Sequence, residues 1–73
     1  MTLKTNTELK SALIHEYNEL LSKIHRLENM LERHDTRLLI GDMHFLLLNI
    51  QLKAMEAYAE VLFWRIRLVN DSP

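Results

Sequence analysis

The segment from Met43 to Leu68 carries two apolar stripes on opposite sides of what can only be a helix. One stripe is Phe45, Leu48, Leu52, Met55, Ala59, Leu62, Ile66 and Val69, spaced alternately three and four, as in a heptad seam. The other is Met43, Leu47, Ile50, Ala54, Ala57, Val61, Trp64 and Leu68, with the same spacing but on the far side. Polar residues such as Asn49, Gln51, Lys53, Glu56, Glu60, Arg65 and Arg67 keep only the lanes between. A helix that is apolar on both sides needs cover on both sides. A chain of 73 residues supplies one cover, so the second must come from another subunit.

Composition narrows the fold further. A single Gly and a single Pro are too few for a turn-rich β fold, and helix formers dominate. There is no Cys, hence no disulfide or thiolate site, in keeping with a reducing cytoplasm. The net charge of −1 gives no general pull toward nucleic acid or anionic membrane. The stretch Met1 to Lys10 is polar and unlike a secretory leader. Leu38 to Leu48, the most apolar run, is too short for a span and contains Asp42 and His44.

The sequence predicts one domain over 1–73, with a first helix over about 6–33, a turn within 34–41 and a second helix to about 69. Thr5-Asn6-Thr7-Glu8 reads as a capping box that opens the first helix. The seam of that helix is Leu13, Tyr17, Leu20, Ile24, Leu27 and Leu31, widened by Leu9, Ile14, Leu21 and Met30, and its other side is polar. The polar run Arg33-His34-Asp35-Thr36-Arg37 marks the turn, where Asp35 or Thr36, and later Asp42 after Gly41, can cap a new helix. One pattern opposes a turn. The heptad phase runs through it unbroken as Leu31, His34, Leu38, Gly41 and Phe45, so a single long helix in a coiled coil is the alternative. The second stripe, confined to the C-terminal half, decides for an antiparallel two-helix hairpin that assembles into a symmetric helical-bundle oligomer. The first helix then covers the Phe45–Val69 stripe. A second subunit covers Met43, Leu47, Ile50, Ala54, Ala57, Val61, Trp64 and Leu68.

Catalytic patterns are missing. His15, His25, His34 and His44 have no histidine three or four positions away, and no nucleophile–base set or glycine-rich phosphate loop is present. His34, Asp35, Asp42 and His44 gather near the turn, but solvated or interhelical histidines are the expected reading, and no metal or cofactor is expected. The chain therefore does not read as an enzyme. Basic residues alternate with acidic ones and form no phosphate-tracking stripe, so neither nucleic acid nor membrane is an expected partner. The chemistry that stands out is Phe63-Trp64-Arg65-Ile66-Arg67, with no acid between Val61 and Asn70. Aromatic faces beside guanidinium groups stack and clamp nucleotides or anchor proteins. In a hairpin this segment lies beside the start of the first helix, with Tyr58 level with Tyr17. The candidate binding residues are thus Tyr17, Tyr58, Trp64, Arg65 and Arg67. The plainer reading gives Trp64 to the subunit interface and the arginines to the helix C-terminal dipole.

Two segments resemble a family of small phage-encoded helical proteins known from crAss-like and other tailed phages. One runs from His15 to Leu27, HEYNELLSKIHRL, and is similar to the family's opening pattern of an acid-rich turn, a Leu, a Lys-Ile and a Leu. The other is Gln51, Met55, Tyr58, Val61-Leu62 and Arg65-Ile66, similar to the closing helix. The apolar middle, Leu38 to Leu48, departs from the pattern. The resemblance implies a phage origin and a helical hairpin, and brings no functional residues with it. It implies no established activity; the closeness of Trp64, Arg65 and Arg67 favours a binding or inhibitory protein that acts as an oligomer in the host cytoplasm, sequestering a host protein or a nucleotide defence signal. The other expectation is a coiled-coil adaptor with no ligand.

Overall fold

The protein's structure is a computed structural model, which describes residues 6–70. The proposed cap at Thr5, the leading tail and the polar end after Asn70 lie outside the described residues. Those described are 94% helical with no strand. Helix α1 spans Asn6–Glu32, a short α2 spans Thr36–Ile40, and α3 spans Asp42–Asn70. α1 and α3 pack against each other as a hairpin about 52 × 22 × 15 Å. A single long helix is therefore not what the chain adopts.

The packing follows the stripes. Leu13, Leu20 and Ile24 of α1 meet Ala59 and Leu62 of α3 in the buried core, and Leu62 is fully enclosed. Leu52, Met55, Ile66 and Val69 pack against that cluster from α3, and Leu9, Tyr17 and Leu21 from α1. Every member of the Phe45–Val69 stripe is buried or half-buried. Ile14 and Met30, at the margins of the widened seam, stay 37% and 36% exposed.

The turn is more elaborate than a loop. Thr36 is buried, and its hydroxyl donates to the Met30 carbonyl, so it closes the last turn of α1 rather than capping α2. Asp35 occupies the N-cap of α2 without a side-chain cap bond; its carboxylate takes Arg33 Nε at 3.3 Å and Nη2 at 3.2 Å. Gly41 separates α2 from α3 with φ 88° and ψ 159°. Its N–H donates to the Arg37 carbonyl at 2.9 Å and its carbonyl accepts from Phe45 N–H at 3.0 Å, so one residue ends one helix and starts the next. Asp42, first residue of α3, accepts from Arg37 Nε at 2.7 Å, and the Arg37 guanidinium lies 6.0 Å from the Phe45 ring centroid.

The Gly41 backbone lies in a region that only glycine visits freely. A Cβ there meets nothing within 4 Å, so the penalty of Gly41→Ala is conformational rather than steric crowding. The hairpin should lose about 1–3 kcal/mol, read as a lower melting temperature by circular dichroism. An unchanged melting temperature would show that the break does not depend on glycine.

Candidate functional site

The C-terminal half of α3 meets the N-terminal half of α1 at the open end of the hairpin, and there the aromatic residues gather. Tyr17 of α1 faces Phe63 at a centroid distance of 6.5 Å, with the rings tilted by 41°. Phe63 meets the neighbouring Trp64 edge-on, at 5.4 Å and 78°. Arg67, four residues beyond Phe63 and three beyond Trp64, reaches back over both rings, its guanidinium carbon 5.7 Å from each centroid. That is helical geometry at work, since positions three and four apart share a face. Neither Arg65 nor Arg67 has a carboxylate partner among the described residues. The indole and phenyl rings remain open to solvent.

The structure thus brings Tyr17, Trp64 and Arg67 together and adds Phe63 to them. Phe63 is the hinge of the group, because its ring alone touches both Tyr17 and Trp64. Its position next to Trp64 was the available signal. Tyr58 and Arg65 are seven residues apart, on one side of α3, both exposed, and take no part in the ring cluster. Tyr17 pairs with Phe63, not with Tyr58.

The second stripe of α3 is bare. Met43, Leu47, Ile50, Val61, Trp64 and Leu68 are 53% to 68% exposed, and Ala54 and Ala57 between them are exposed too. Patches of this extent are unusual on a monomer. The tip adds Leu38 and Leu39, 87% and 74% exposed, of which Leu38 belongs to the continuing heptad phase.

At the turn, the two carboxylates face arginines: Asp35 pairs with Arg33 and Asp42 with Arg37. No group of three or more His, Cys, Asp or Glu suited to a metal occurs among the described residues. Glu19 pairs with His15 at 3.0 Å. Surface hollows of about 350 and 470 Å³ lie along Glu19–Arg26 and beside Arg37, Asp42 and Phe45. The first is walled by α1 alone and gives a ligand no enclosure. No helix among the described residues is long and apolar enough to cross a membrane.

A helical hairpin with one filled seam, one bare seam and a cationic aromatic end defines a class of small helical proteins built around exposed surfaces rather than an internal cavity. The chain belongs to the Sequestin family, whose model matches residues 7–68. The name is consistent with a sequestering role. No curated protein and no solved structure gives a significant match to the chain.

Proposed function

We propose that this protein is a non-enzymatic binder that acts as an oligomer, encoded by a phage, and sequesters a host factor in the host cytoplasm. The factor is a host protein or a nucleotide defence signal. The observation that carries the reading is the Arg67 guanidinium held over Phe63 and Trp64, with no ion pair to a carboxylate among the described residues. A cation fixed beside an aromatic face suits a ligand that is anionic and planar, and a nucleotide is both. The family name supports sequestration. The bare stripe supports assembly, through which a short chain multiplies its sites.

The test is affinity capture from a bacterial lysate, with proteins and small molecules both read by mass spectrometry. The unmodified protein should retain one defined species. Arg65→Gln with Arg67→Gln should lose it and stay folded, because an exposed arginine with its ring contacts is worth at most about 1 kcal/mol. The melting temperature should then fall by no more than about 4–8 °C. A double variant that unfolds makes the arginines structural. One that stays folded and retains the species places the binding site elsewhere. An unmodified protein that retains nothing favours the adaptor.

A further inference from the structure

The bare stripe of α3 reads alike in both directions. From Met43 to Leu68 its steps run four, three, four, three, four, three, four. Side-chain size follows the same symmetry about the midpoint between Ala54 and Ala57: alanines at the centre, β-branched Ile50 and Val61 next, then Leu47 and Trp64, then Met43 and Leu68. The six large members are each more than half exposed.

We propose that two copies of this chain pair through this stripe, with their α3 helices antiparallel about a two-fold axis between Ala54 and Ala57. Ala54 then meets the partner's Ala57, Ile50 the partner's Val61, Leu47 the partner's Trp64 and Met43 the partner's Leu68. The central alanines let the helix axes approach closely, and the larger pairs close the ends. The exposed stripe offers on the order of 700 Å² per copy, close to the ~800 Å² per partner of a stable interface.

Charge favours this orientation. Beside the seam, Lys53 faces the partner's Glu60, and the symmetry repeats the pair. The opposed helix dipoles also align favourably. A parallel alignment exchanges that ion pair for Glu60 with Arg65, but collects the Arg65 and Arg67 side chains of both copies at one end. The antiparallel form separates the two Trp64 residues by about 25 Å along the axis, given 1.5 Å of rise per residue. It also backs each indole with the partner's Leu47 and brings the partner's His44 level with Arg65 and Arg67. Each cationic aromatic end is thus completed by the other copy. This deepens the reading of the protein as an oligomeric binder, and its test is independent of any ligand.

The experiment uses the absence of cysteine from the sequence. Ile50→Cys and Val61→Cys variants are made separately, checked for helicity by circular dichroism, and oxidised alone and mixed. The mixture should give one disulfide-linked species containing both variants, and each variant alone should remain largely uncross-linked. Trp64, the single tryptophan, should shift its emission to the red as the unmodified protein is diluted to monomer. Cross-linking of each variant with itself would overturn the proposal in favour of a parallel pair. A dimer that gives no mixed disulfide would overturn the register. A monomer by light scattering, with this face occupied by a different captured protein, would overturn the second copy as its occupant.

Discussion

Leu62→Ala should leave the chain largely unfolded. Among the described residues Leu62 is the one large side chain fully enclosed, held among Leu13, Leu20, Ile24 and Ala59. Truncating a buried leucine costs about 2–5 kcal/mol through lost transfer energy and the cavity left behind. Small domains start near the lower end of the usual 5–15 kcal/mol of stability. A two-helix hairpin has no second core to absorb the loss. Circular dichroism should show a collapse of the helical signal or a melting transition moved down by tens of degrees. A transition within a few degrees of the unmodified protein would mean that the seam between α1 and α3 does not hold the fold.

The second large effect is on assembly. Ile50→Glu with Val61→Glu should convert an oligomer into a helical monomer. Both side chains point away from the α1 seam, so the hairpin itself loses nothing. Their burial against another subunit, with the four other large residues of the stripe, is worth on the order of 10 kcal/mol before association costs. Carboxylates buried there without partners reverse that gain, at several kcal/mol each. Light scattering should give the monomer mass for the variant and a multiple of it for the unmodified protein. An unmodified protein that is already monomeric and fully helical removes the case for assembly.

The contrast between these two substitutions shows what was legible in the sequence. Leu62 and Val61 are neighbours, alike in chemistry, yet one is enclosed and the other more than half exposed. Heptad spacing sorted them correctly, because the period of a helix is local and survives any tertiary arrangement. Leu13, Leu20, Ile24 and Leu27 of α1 were legible for the same reason. The turn was harder. Its position within 34–41 followed from polarity and the lone glycine, but α2 was not foreseen. Thr36 looked like a cap; it is the first residue of α2, behind the N-cap Asp35, and its hydroxyl seals the end of α1 by bonding the Met30 carbonyl six residues back. Leu38 belonged to the continuing heptad and is nearly bare, because the backbone changes direction at Gly41 and turns that position outward. At the candidate site, Arg67 and Trp64 were visible as a helical pair. The link to Tyr17 through Phe63 depends on the pairing of two distant helices, which no local period encodes.

The break at Gly41 sets a competition between closed and opened arms. The heptad phase continues across it, so a straightened chain would present the same seam, unbroken, to a second straightened chain. Two such rods lying antiparallel would rebuild every α1–α3 contact between molecules instead of within one. The closed and exchanged forms then differ mainly in backbone conformation at residues 33–41 and in the entropy of bringing two chains together. Alanine at position 41 acts on both sides of that balance. It strains the hairpin and favours a continuous helix by about 1 kcal/mol relative to glycine. One methyl group would therefore make protein concentration, rather than sequence, the variable that decides which molecule α1 embraces.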